Sequence, residues 1–167
     1  MIMGGSDRAD GPAGDHASGS DSDAETVFSR SGWFPHVVRG EPGLMLRLGA
    51  GADALHQPRT FLVPISERHL GVIRDDLARH LLLWCALLPL CDAAGIRGPL
   101  DQDAAVALLD PILLGPSARI DAHFREAGTD PTLLVAYGAD LRLLEAGRVL
   151  DALHTATEQP DWQRTRR

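Results

Sequence analysis

The chain contains no lysine: all 16 of its basic residues are arginine, in a sequence of 167. Schiff-base catalysis needs a lysine amine and a P-loop needs a lysine against the phosphates, so both chemistries are excluded. Aromatic residues make up only 5% of the chain, which leaves aliphatic side chains to fill a core. Cysteine occurs twice, at Cys85 and Cys91. On one helix these would stand about 9 Å apart along the axis, too far for an undistorted disulfide, and the spacing is not that of a zinc site. Inside an apolar run such thiols act as small hydrophobes, and their scarcity suits a reducing cytoplasm. There is no G-x-S-x-G nucleophile elbow and no H-x-x-x-H pair. No basic stretch followed by an apolar core opens the chain, so no secretory signal is expected.

Positive charge is also short. The formal net charge is −7 and the pI about 5.4, and the only basic cluster is Arg164, Arg166 and Arg167. Nucleic-acid backbones are bound through a clustered positive excess, so a nucleic-acid role is not expected.

What is present is enough for one domain with a hydrophobic core: 44% of residues are apolar. Alanine, glycine, aspartate, leucine and arginine dominate, a pattern we read as GC-rich coding bias. Residues 1–24 are rich in Gly, Ser, Asp and Ala and nearly devoid of apolar side chains after Met3; they read as a disordered acidic leader. A domain is expected over 25–157, followed by a polar, frayed tail over 158–167. No fixed-period repeat is visible.

From Thr26 to Ile65 short β-type runs follow one another: TVFSR, HVVRG, LMLRLGA and TFLVPI. Glu41-Pro42-Gly43 supplies turn chemistry for a hairpin, and Trp33 and Phe34 are expected to cap one face of the sheet. Ser66 then reads as a helix N-cap with Glu67 in the first turn. Leu70, Ile73, Leu77, Leu81, Trp84 and Leu88 recur at helical steps. They predict one long helix from about Ser66 to Leu90, with Asp75–Arg79 and Asp76–His80 as i,i+4 pairs and Pro89 bending or ending the last turn. The uncharged stretch Leu81–Cys91 falls well short of the roughly 20 residues a membrane span needs, so a buried core helix is the better reading. Further helices are expected from Asp101 to Leu109, over 118–127 capped by Ser117, from Pro131 to Ala146, and from Arg148 to Thr157, with a short turn over 110–114. The fold class is therefore α+β, a small N-terminal antiparallel sheet packed on a helical remainder.

Candidate chemistry is sparse. Gly49-Ala50-Gly51-Ala52-Asp53-Ala54 formally satisfies G-x-G-x-x-A, but that fingerprint works only where a helix opens directly after it. Here Pro58 and a strand follow, so no dinucleotide, and no other cofactor, is expected. The Gly49–Arg59 loop also brings Asp53, His56 and Arg59 close in sequence. A carboxylate, an imidazole and a guanidinium can bind an anion or do acid–base work, and loops on a rigid sheet often carry function. His69 and His80 would stand about 16 Å apart along a helix and cannot share a metal. His80 is expected to be half-buried and paired with Asp76, His123 to pair with Asp121 or Glu126, and His36 and His154 to stand alone. Cys85 lies among leucines and is expected to be inert.

The phrases SGWFPHVVR, LGAGADALHQPRTFLVPIS and RDDLARHLLLWCALLPLCDAAGIRGPLDQDAAVALLDPILLG resemble a family of uncharacterised proteins from high-GC Gram-positive bacteria. The resemblance runs from about Phe28 to Leu114 and more weakly around Tyr137–Thr157. It transfers no activity and no catalytic residue. It also implies that family members continue past Arg167, which would make this a shortened copy. Taken together, these features predict a cytoplasmic, non-enzymatic protein acting through contact with a protein partner, of a regulatory, chaperone-like or immunity type. The alternative is a small-ligand binder or enzyme using Asp53, His56 and Arg59.

Overall fold

A turn sequence organises the first half of the molecule. In a computed structural model, which describes residues 24–30, 34–50, 59–128 and 131–157, β2 (His36–Gly40) and β3 (Gly43–Ala50) run antiparallel either side of Glu41-Pro42, and Gly40 pairs with Gly43. Gly43 has φ +146°, a conformation that side-chain-bearing residues rarely adopt. β1 (Glu25–Phe28) pairs with β2, with an irregular register between Thr26 and Phe28, and β4 (Arg59–Pro64) pairs with β3. The order is β1-β2-β3-β4, antiparallel throughout.

Alternation decides which face is buried. Leu44, Leu46, Leu48 and Ala50 of β3, with Phe61 and Val63 of β4, belong to the core. The outer edge of β4 is closed by the Gln102 side chain, whose amide donates to the Leu62 carbonyl. Phe34 is buried against His80 and Trp84. Trp33 lies outside the described residues, as do the leader through residue 23 and the tail from 158.

Among the described residues seven α-helices follow the sheet, giving an α+β fold. The expected helix from Ser66 to Leu90 is two helices, α1 (Glu67–Asp75) and α2 (Leu77–Ala94). Asp76 breaks it with an extended backbone, φ −122° and ψ 97°, and its carboxylate caps α2 by accepting from the Arg79 amide. The carbonyls freed at the end of α1 are not wasted, because the Arg30 guanidinium donates to those of Ile73 and Arg74. Pro89 sits inside α2, which continues to Ala94 and closes at Gly95 with φ +57°.

The remaining elements are α3 (Gln102–Ala107), a π-helical turn (Asp110–Leu114), α4 (Ser117–Glu126), α5 (Pro131–Ala136), α6 (Leu141–Glu145) and α7 (Val149–Thr157). Asp101 caps α3 as its position suggests, whereas α4 begins after Pro116 and Ser117 is its first residue rather than its cap. The expected helix from Pro131 to Ala146 divides at Gly138, φ +88°, and restarts where Asp140 caps α6.

α2 is the spine. It packs on α1, α3, α7, β3 and the π turn. Leu81, Leu82, Leu83 and Leu87 are fully buried, each worth about 2 kcal/mol relative to exposure. α2 is also the one described helix long and apolar enough, by length and composition, to cross a membrane. Its Arg79 donates to the Ile112 and Leu113 carbonyls, which ties its first turn into the protein.

Candidate functional site

Of the three loop residues singled out by sequence, Asp53 and His56 lie outside the described residues. Arg59, the first residue of β4, reaches the end of α2. Its guanidinium donates to the Gly95 carbonyl at 2.5 Å and the Gly98 carbonyl at 3.0 Å, and lies 4.9 Å over the Phe61 ring. A cation there completes the partial negative end of a helix. Arg59 therefore ties the start of β4 to the C-terminus of α2.

The histidines are arranged differently from expectation. His80 is completely buried, and neither ring nitrogen makes a hydrogen bond among the described residues. It packs between the rings of Phe28 and Phe34, at 6.5 and 5.4 Å. Burial, with the Arg30 charge adding to it, pushes its pKa down to about 3; the Pro35 backbone opposes the shift but is not aligned as a hydrogen-bond partner. Its expected partner Asp76 is taken. His154, expected to stand alone, places Nε2 3.2 Å from both Asp76 carboxylate oxygens, and Arg79 Nε is 3.3 Å away. His123 pairs with neither Asp121 nor Glu126. It sits edge-on to Phe124, and Asp121 instead accepts from the Val149 and Leu150 amides at the start of α7.

Ser66, His69 and Asp110 converge, yet not as a nucleophile, base and orienter. His69 Nδ1 accepts from the Ser66 amide at 3.2 Å, and Ser66 Oγ accepts from the His69 amide at 3.2 Å. The remaining ring nitrogen, Nε2, is then the protonated one and donates to Asp110 at 2.7 Å. The hydroxyl never meets the ring, so this is a helix cap that anchors α1 to the π turn. Burial pushes the Cys85 thiol up to about 12. It also pushes Cys91 up to about 11, with Asp92 adding to the shift and Arg59 opposing it. Neither is an activated nucleophile. Among the described residues, no three His, Cys, Asp or Glu side chains gather as a metal would require.

Among the described residues, a concavity beside α2 is free of these structural duties. A groove of about 510 Å³ lies between the C-terminal half of α2, α3, the end of α4 and α5. Leu88, Pro89, Leu108 and Leu133 form its walls and Cys85 is in its floor, with Asp92 and His123 as its ionisable lining. Sequence reasoning passed over it, although the signal was present: Leu81–Cys91 is apolar on every side. The core takes one side of that run, while Ala86, Leu88 and Leu90 stay only partly buried. A second, shallower depression beside the helix break is lined by Arg68, Asp75, Asp76 and Arg79, and Asp75, Asp76 and Arg79 are already paired.

Neither a curated protein nor a solved structure matches this chain. The model of a family of unknown function, DUF6357, does match, over residues 23–167, a span that contains both the Phe28–Leu114 and the weaker Tyr137–Thr157 resemblance; the chain belongs to that family.

Proposed function

We propose that the chain is a cytoplasmic binding protein that holds a protein partner non-covalently in the groove between α2 and α4. The observation that carries this reading is the groove's lining: aliphatic walls, a floor thiol that is not ionised, and two ionisable groups without a nucleophile. The polar constellations elsewhere are spent on architecture. His69 with Asp110 joins α1 to the π turn, Asp76 with His154 joins the helix break to α7, and Arg59 closes α2. Catalysis needs a group free to exchange a proton or form a bond near a bound substrate; binding needs only complementary surface. The acidic net charge is consistent with steering of a partner.

A second reading is favoured by size. A volume near 510 Å³ falls in the roughly 300–1,000 Å³ range of small-molecule sites, so an apolar small ligand would fit the same groove.

One experiment tests both. A photo-crosslinking side chain at Leu108 should give a discrete protein adduct, the same group at Leu141 on α6 should not, and Ala104→Trp, which fills the groove, should abolish the adduct. A small co-purifying mass in native spectra that disappears with Ala104→Trp would favour the second reading. Adducts that ignore the filling substitution, with no such mass, would refute both.

A further inference from the structure

β1 and the two residues after it form a strap from the edge of the sheet to the helix break. Glu25, Thr26 and Val27 are exposed, Phe28 is half-buried, and the strand pairs with β2 in an irregular register. Arg30 then donates to the Ile73 and Arg74 carbonyls at the end of α1, at 3.0 and 2.7 Å. The strap thus holds to the helices through one aromatic ring and one guanidinium. Beneath it lies His80, fully buried, its ring 6.5 Å from that of Phe28, while the Arg30 guanidinium lies 5.2 Å over the same Phe28 ring. Both His80 nitrogens and Arg30 Nε are buried without a hydrogen bond. Opening the strap would hydrate all three, which offsets part of the cost of losing its contacts.

We propose that residues 25–30 are an acid-released strap: when His80 takes up a proton, Phe28 and Arg30 leave the α1–α2 break while the core around α2 stays folded. Protonation sets a second cation beside Arg30 where water does not reach. The other charged groups around the break do not relieve it. Asp75 and Asp76 act on Arg30, and Asp76 is also held by Arg79 and by His154 of α7. Tyr137 of α5 approaches Trp84, the next aromatic residue along α2. Burial, with the Arg30 charge adding to it, pushes the His80 pKa down to about 3, and release into water returns it to about 6.5. The closed strap is therefore favoured fully above pH 6.5 and loses that advantage as pH falls towards 3. Between pH 6 and 4.5 the opening equilibrium shifts by roughly twentyfold. Release leaves the outer edge of β2 without its partner strand, so whether the sheet can pair with another strand becomes a function of pH, the use to which buried histidines lend themselves.

The test is amide hydrogen exchange on the full, isotope-labelled chain, with rates corrected for the intrinsic effect of pH. In the parent at pH 4.5 the amides of β1 should exchange at least about tenfold faster than those shared by β3 and β4, and urea below the unfolding transition should hardly change their rate, the mark of local opening. Their protection should fall by roughly twentyfold from pH 6 to pH 4.5. His80→Leu and His80→Phe, neither of which titrates, should each flatten that dependence, so one folded variant suffices. His154→Gln, which removes the other imidazole near the break, should leave it in place. A single rate for both ladders, accelerated alike by urea, would mean that His80 acts only through global unfolding and would overturn the inference. So would a β1 protection that stays level with pH in the parent, that still falls in the His80 variants, or that becomes level in His154→Gln.

Discussion

Asp76 and His154 are 78 positions apart in the chain and 3.2 Å apart in the fold. Asp76 is simultaneously the end of α1, the cap of α2, the partner of Arg79 and the dock for α7. Asparagine caps a helix about as well as aspartate but carries no charge, so the two duties separate experimentally. Asp76→Ala is expected to cost about 2 kcal/mol in urea denaturation, the sum of a lost cap and a lost partly buried ion pair. Asp76→Asn should cost less than half of that. Equal losses would mean that the charge, not the cap, holds the helix break.

His80 should make the protein acid-sensitive. Its pKa is pushed down to about 3 by burial, while in the unfolded chain an imidazole titrates near 6.5. Between those values the unfolded state binds a proton that the folded state refuses. Stability from this source is therefore complete above pH 6.5 and is lost as pH falls towards 3, at about 1.4 kcal/mol per pH unit. His80→Leu, close in volume and with no ring nitrogen left unpaired, should be neutral or stabilising at pH 7.5. Its advantage over the parent should widen as pH is lowered from 6 to 4, measured by denaturation monitored through tryptophan fluorescence. Parallel pH profiles for the two proteins would contradict the buried, unpaired state of His80.

The same two residues explain what was and was not legible in the sequence. The strands and the Glu41–Gly43 turn were readable because their determinants are local: period-two alternation and turn-forming residues. Asp76 and His80 four residues apart looked like a surface pair on one continuous helix. The break depends on Arg30, 43 positions from Ile73, and on His154 from the far end of the chain, and no window of helical periodicity contains them. The groove was half visible. All-round apolarity in Leu81–Cys91 announces more hydrophobic surface than one packing face requires, but its other walls come from three helices whose placement is a property of the fold.

Arg59 offers a direct contrast between a ligand-binding and an architectural role. Its hydrogen bonds to the Gly95 and Gly98 carbonyls and its stacking on Phe61 need a planar, forked donor, which lysine does not provide. Arg59→Ala is expected to cost about 2 kcal/mol, the worth of a charged hydrogen-bonding group lost from a partly buried site. Arg59→Lys should recover less than half. Hydrogen exchange should accelerate at the last turn of α2 in both variants. Unchanged exchange there would return Arg59 to the pool of candidate ligand contacts.

The two cysteines report on whether the groove opens deeper than it stands. Cys85 lies in the groove floor yet is almost fully covered, and burial pushes its thiol up to about 12; Cys91 is covered and pushed up to about 11. Disulfide reagents attack through the thiolate, so at pH 8 the folded protein should react with Ellman's reagent only as fast as it opens, whereas both thiols should react within minutes in 6 M guanidinium. A partner seated between Leu88 and Leu108 lies over Cys85 and not over Cys91. Partner binding should therefore slow native-state labelling of Cys85→Ser protein little, and that of Cys91→Ser protein severalfold. Fast labelling of Cys85 in the free protein would mean that the floor is mobile, and that a partner enters a wider cleft than the one described.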